Sequence, residues 1–244
     1  RAQLEQSDLG GWKLSVESSV VPWGLQSANL LLLAVRGTSG LALVTLETRP
    51  EFFKPGRSAA GEPRDKLLLD GLELGKGQVH PVDGSLGTQL LLVGALARCH
   101  QMAGAMEWAL EQTLIYARDR AQFGKPIGGF QAVQHLIAEM AAQVHAAAMA
   151  TDMARMRLEG PGMETAVAVA KARVGEAAGM VAAIAHQVHG AMGYSQEYPL
   201  HYRTRRLWSW REEFGSERGW QLRMGRKVAA AGGKAFWPGL TVVS

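Results

Sequence analysis

The 244-residue chain has a single cysteine, Cys99, which excludes an internal disulfide, and one thiol builds no cysteine metal site. No metal centre is expected. Long apolar runs are also missing. A bilayer span needs roughly 18 apolar residues, and the best stretch, Leu90 to Ala97, stops at Arg98. No secretory signal stands at the start, and the first residue is Arg1 rather than Met, as in a numbering that begins inside a longer protein. These absences point to a protein of the reducing cytoplasm, with no membrane partner and with Cys99 as a buried structural thiol. Charge is nearly balanced, 26 Lys and Arg against 22 Asp and Glu, for a net +4. Part of the excess sits in Arg203, Arg205 and Arg206. That cluster reads either as a solvated or subunit-facing helix or as a patch for a polyanion. No DNA-reading motif accompanies it.

What is present falls into two textures, and together they predict an α+β protein. Residues 1–80 read as β: Trp12 to Val16 alternates, and Leu30 to Val35 and Leu41 to Leu46 are short apolar runs. Lys66 to Leu69 leads into a turn at Asp70-Gly71, with Leu72 to Leu74 beyond it. Gly, Pro and Asp punctuate these runs as in a small β-sandwich or barrel. Residues 81–87 read as a linker, 88–231 as an antiparallel helical bundle and 232–244 as a frayed tail. The helical region carries apolar spacings of three and four. Its breaks fall at 119–129, at Gly160-Pro161-Gly162, near Gly190 and at Gly215 and Gly219, with Pro199 opening the fourth helix. Alanine-dense second and third helices suit close packing, and apolar faces on both sides suit an oligomer.

The most informative stretch is Tyr116-Ala117-Arg118-Asp119-Arg120-Ala121-Gln122-Phe123-Gly124-Lys125-Pro126-Ile127, then Phe130-Gln131-Ala132-Val133-Gln134. On physical grounds it is a helix end, a Gly/Pro loop and a helix start. Arg120 is a forked donor suited to phosphate oxygens, and a helix start presents free N–H groups. Those features fit an anion site; an interhelical turn with a surface arginine fits them as well. A second segment is Gln187-Val188-His189-Gly190-Ala191-Met192-Gly193-Tyr194, followed by Glu197-Tyr198-Pro199-Leu200.

Both segments, in this order, resemble the acyl-CoA dehydrogenase family. Gly11-Trp12-Lys13-Leu14 and Asp70-Gly71 resemble its middle β domain, and the family's N-terminal helical domain is absent from this sequence. The resemblance implies FAD bound across a subunit interface. Arg120 would pair with pyrophosphate, Gln122, Phe123, Ile127, Phe130 and Gln131 would line that end, and Gln187 and Gly190 would approach the same cofactor. Ala191 stands where the family has a second glycine. Val20-Val21-Pro22-Trp23 departs from the family's usual segment there, which puts binding of the flavin ring in question.

The implied reaction is α,β-dehydrogenation of an acyl-CoA thioester, with electrons passing to an electron-transfer flavoprotein. The family's base is a glutamate after the fourth helix, and that position here is Phe214. Ser216 matches the flavin-contacting hydroxyl of the same motif. The family's alternative base position, on the first long helix, falls near Gly94. Glu213 is the nearest substitute. Placed on a helix one step before Phe214, it would point away by about 100°. Glu212 is the other obvious substitute, and Glu217, His189 and His201 are weaker ones. Trp208, Trp210 and Trp220 read either as a pocket wall or as helix packing. The expectation is a dimer or tetramer in which a second acyl-CoA dehydrogenase subunit supplies the base. The alternatives are a DNA-binding or a scaffold protein derived from the same fold.

Overall fold

The computed structural model describes residues 2–8, 10–37, 40–234 and 238. The chain divides into two compact units, residues 1–90 and 91–244. The expected tail, 232–244, falls largely outside the described residues.

The first unit holds β1 (Ala2–Gln6), β2 (Trp12–Pro22), β3 (Asn29–Arg36), β4 (Gly40–Glu47), β5 (Phe53–Lys54), β6 (Arg64–Leu74) and β7 (Val79–Val82). They form one sheet in the order β5-β6-β2-β1-β3-β4-β7. All pairs are antiparallel except β1 with β3. Alternation explains the core: Leu14 and Val16 on β2, Ala42, Val44 and Leu46 on β4, and Leu67 and Leu69 on β6 point to one buried cluster.

The turn expected at Asp70-Gly71 is instead a bulge inside β6. Leu14 pairs with Leu72 but Val16 with Leu69, so the register slips across the glycine. Gly71 takes φ +62, which a side chain would resist, and its N–H donates to Ser15 Oγ at 3.1 Å. The strand therefore runs on to Leu74 with its inward phase shifted.

The helices are α1 (Leu86–Asp119), α2 (Gln131–Met156), α3 (Met163–His189), α4 (Leu200–Glu212) and α5 (Glu217–Ala231). Gly162, at φ +92, lets the chain reverse tightly between α2 and α3. α3 packs against α2, α4 and α5, and its alanines and valines are buried almost all round. Pro199 is the N-cap of α4. Gly215 ends the turn before α5, whereas Gly219, expected as a break, lies inside α5 and donates its N–H to the Ser216 cap at 3.4 Å. Cys99 is buried in the helical core, and burial pushes its thiol up to about 12. Among the described residues no helix is long and apolar enough to cross a membrane.

Candidate functional site

The segment between α1 and α2 is a small hairpin, β8 (Ala121–Gln122) and β9 (Lys125–Pro126). Phe123 and Gly124 form its tip at φ +52 and +82, the left-handed pair of a type I′ turn. Left-handed backbone costs a phenylalanine on the order of 1 kcal/mol. This residue is also 92% exposed, with its ring edge-on to Phe130. The loop behind it is fixed. Ile127 N–H donates to Arg120 O at 2.8 Å, Lys125 Nζ lies over the Phe130 ring at 4.5 Å, and Gln134 Nε2 donates to Gly128 O at 2.9 Å.

Behind the hairpin opens a cleft of about 580 Å³. Arg120, Gln122, Phe123, Ile127 and Phe130 line one side; Gln187 and Gly190, at the end of α3, line the other. α2 begins here with no side-chain cap and no acidic residue in its first turn, so its leading N–H groups face outward unpaired by side chains. Arg120 is exposed, and among the described residues no carboxylate pairs with it. Gly190 takes φ +57, and a Cβ there would meet nothing within 4 Å, which leaves room for close approach to its backbone. Two of the residues singled out in the sequence lie elsewhere. Gln131 opens α2 without lining the cleft, and Ser216 caps α5.

The cleft holds an aromatic cluster drawn from both motif segments. His189 is 2% exposed, stacks on Tyr116 at 4.4 Å and lies 3.1 Å from the Tyr198 hydroxyl. Its Nδ1 is 2.7 Å from the Ala185 carbonyl, which only accepts. Nδ1 therefore carries the proton, and Nε2 accepts from Tyr198. Burial lowers its pKa, so the ring is neutral near pH 7. Both ring nitrogens of His189 are thus engaged, by the Ala185 carbonyl and the Tyr198 hydroxyl. His201 is tied to the Gln196 carbonyl at 3.1 Å.

The two positions at which a family base was sought face each other. α4 stops at Glu212, so Phe214 lies in a turn rather than on a helix, at φ +55. Its ring covers Gly94 of α1: an added Cβ there would fall 2.5 Å from Cδ1 and 2.6 Å from Cζ. Neither position carries a carboxylate. Glu213, expected to point away along a helix, instead caps α4 and pairs with Arg98 of α1 at 2.5 Å. Arg98 also lies over Trp210 at 5.3 Å.

The turn is clamped from below by Lys171 of α3, which sequence reasoning missed. Its side chain is fully buried and donates to Arg211 O and Gly215 O, both at 2.7 Å. Burial lowers its pKa, opposed by the nearby Cys99 and Glu217. Trp220 Nε1 donates to Phe214 O at 3.0 Å, and Arg211 grips Glu217 through both forks, Nε to Oε2 at 2.9 Å. Trp220 is buried, Trp210 packs partly into the core and Trp208 carries Arg211 over its ring. Trp210 and Trp220 pack the helices, while Trp208 is half exposed. In the basic cluster, Arg203 lies over Trp108 at 5.1 Å and Arg206 donates to Tyr202 O.

The architecture recurs in a known family. The family model described as acyl-CoA dehydrogenase, C-terminal domain, matches residues 86–217, and the chain belongs to the acyl-CoA dehydrogenase family. It is 35% identical over 182 residues to a glutaryl-CoA dehydrogenase of Desulfococcus multivorans, covering 67% of this chain and 45% of that protein. It is 29% identical over 175 residues to the CarC subunit of the caffeyl-CoA reductase-Etf complex of Acetobacterium woodii, covering 68% of this chain and 46% of that one. Among solved structures, the glutaryl-coenzyme A dehydrogenase glutaryl-CoA complex superposes with a TM-score of 0.81 at 26% identity, over 91% of this chain and 59% of that one. The chain spans about half the length of the curated relatives it matches.

Proposed function

We propose that this chain is a subunit of a cytoplasmic, FAD-dependent acyl-CoA dehydrogenase, and that it helps to hold FAD across a subunit interface without supplying the base. The whole assembly would act on the Cα–Cβ bond of an acyl-CoA thioester and pass electrons to an electron-transfer flavoprotein. The name of the Acetobacterium relative, a subunit of an Etf complex, supports that acceptor. FAD, when bound, supplies the hydride acceptor that no side chain offers.

The cleft suits the dinucleotide end of such a cofactor. Arg120 stands exposed beside the uncapped start of α2, a pairing of guanidinium and helix N–H groups that matches pyrophosphate. Ile127 and Phe130 give an apolar wall for an adenine, Gln122 and Gln187 give amide groups, and the open backbone at Gly190 allows contact. Gln131 sits one turn-start away at the head of α2, and Ser216 offers its hydroxyl from the turn beside Phe214.

One observation carries the non-catalytic part: Phe214 and Gly94 occupy the two base positions and pack on each other. A phenyl ring accepts no proton, and Glu213 is held by Arg98. A base-bearing acyl-CoA dehydrogenase subunit, in a dimer or tetramer with this one, is the partner that completes the site. The test is turnover of an acyl-CoA by the purified chain supplied with FAD, with and without its co-expressed partner. The chain alone is expected to be inert and the complex active. Full turnover by the chain alone would refute the assignment.

A further inference from the structure

The positive charge of the chain is gathered in one segment. Residues 200–234 carry nine arginines and lysines against three glutamates, which exceeds the net +4 of the whole chain, and the remaining residues are acidic by two. Seven of the nine cations are arginines. Two of the three glutamates, Glu213 and Glu217, are held by Arg98 and Arg211.

The fold lays this segment out in a line. α4 packs on the C-terminal half of α3, where His186 Nε2 lies 3.0 Å from Thr204 Oγ1. α5 packs on the N-terminal half, where Arg223 pairs with Glu164 at 2.6 Å and Lys227 donates to Thr165 Oγ1 at 2.8 Å. Lys171 grips the turn between them. The two helices therefore run end to end back along α3, and from His186 to Thr165 the line is roughly 30 Å long. Leu200, Thr204 and Leu207 of α4 and Trp220 of α5 are buried. At 100° per residue, the faces opposite them carry Tyr202, Arg205 and Arg206 on α4, and Arg218, Leu222 and Arg226 on α5. Tyr202 is 55% and Leu222 52% exposed. Arg218 and Arg226 stand one turn to either side of Leu222. Arg205 and Arg206 stand one turn beyond Tyr202, whose carbonyl accepts from Arg206.

Arginine and tyrosine dominate the residues on which protein partners bind most strongly, and lysine is depleted there. A phosphodiester strand would leave Leu222 uncovered and would be repelled by Glu212, exposed on the edge of the α4 face. A protein surface can cover the one and pair with the other. A second copy of the chain does not supply the counter-charge, because outside this segment it is close to neutral. We infer that the outer face of α4 and α5 is a docking ridge for an acidic protein surface, which sets carboxylates against Arg205, Arg206, Arg218 and Arg226 and apolar side chains on Tyr202 and Leu222. Exposed charges of this kind mainly speed the encounter and are screened by salt. The ridge goes beyond the flavin reading, since none of these residues lines the dinucleotide cleft.

The test is fluorescence anisotropy of a labelled helical peptide of glutamate, alanine and leucine, as long as the ridge, titrated with the assembled complex. A DNA duplex is the second probe. The peptide is expected to bind, and to bind less tightly as salt rises. Arg218→Ser combined with Arg226→Ser is expected to weaken it roughly tenfold. Leu222→Ala is expected to weaken it roughly threefold with the salt dependence unchanged. Lys54→Gln combined with Lys66→Gln removes the same charge from exposed positions on the sheet and is expected to change little. All variants are expected to keep the wild-type far-UV spectrum. No binding of the peptide, an equal effect of the two double substitutions, or wild-type affinity in Leu222→Ala would each overturn the inference. Tighter binding of the duplex than of the peptide at the same salt would overturn it in favour of a nucleic acid.

Discussion

A double substitution at Gly94 and Phe214 probes the contact between the two empty base positions. Gly94 lies inside α1, where alanine is favoured over glycine by about 0.8–1.0 kcal/mol. Set alone, Gly94→Ala should therefore stabilise the helix. The structure reverses that sign. The new methyl would land 2.5 Å from Phe214 Cδ1 and 2.6 Å from Cζ, with Cε1 closer still. The ring cannot retreat with its backbone, because Phe214 O is held by Trp220 and Gly215 O by Lys171. It must leave its rotamer and lose its packing, an overfilling that costs about 1–3 kcal/mol. The net expectation is destabilisation by about 1 kcal/mol, from the helix gain set against that cost. In a Phe214→Ala background the clash is gone, and the same Gly94→Ala change should stabilise by about 1 kcal/mol. The coupling is then about 2 kcal/mol, typical of residues in direct contact. In thermal unfolding followed by far-UV circular dichroism, Gly94→Ala should move the midpoint by about 2–4 °C in opposite directions in the two backgrounds. Shifts of the same sign and size would show that the ring does not lie over Gly94.

Glu217→Gln should destabilise the helical unit by about 1 kcal/mol at neutral pH, by removing the forked pair with Arg211. The Arg211 hydrogen bond holds the Glu217 carboxyl below its ordinary value. Its contribution is therefore complete above the ordinary glutamate range and is lost as pH falls through the lowered one. Urea unfolding of wild type and variant should converge in acid; a gap that persists there would argue against the pair. Phe123→Gly should raise the stability of the chain by up to about 1 kcal/mol, because glycine accepts φ +52 without strain. The same variant should hold FAD less well in the assembled complex. Equal FAD retention would leave the exposed ring without a cofactor role.

Much of this architecture is legible in the residues. Glycine or proline stands close to most of the helix ends, although α1 ends at Asp119 without one, and Gly219 looks like a break but falls in the first turn of α5, where Ser216 caps it. Asp70-Gly71 looks like a hairpin turn because a left-handed glycine serves turns and bulges alike. The phase slip from Leu67 and Leu69 to Leu72 and Leu74 is the signal that separates them. Arg120, Gln122 and Phe123 stand out because a loop motif keeps the cleft residues close in sequence. Lys171 does not stand out. In an alanine-rich helix it resembles a solvated charge, and the carbonyls that require it, at Arg211 and Gly215, lie forty residues or more away. The Arg98–Glu213 pair escapes for the same reason. Counting along a helix also misplaces Glu213 and Phe214, because α4 ends before either residue.

The most direct measurement is the flavin content of the assembled complex carrying Arg120→Ala, read from visible absorbance against protein concentration. Loss of a charge-assisted contact to pyrophosphate should weaken FAD retention by roughly 10- to 100-fold, so that the variant washes colourless under conditions in which wild type stays yellow. A variant that retains FAD at wild-type stoichiometry and affinity would remove Arg120 from the cofactor, and with it the role assigned to this cleft.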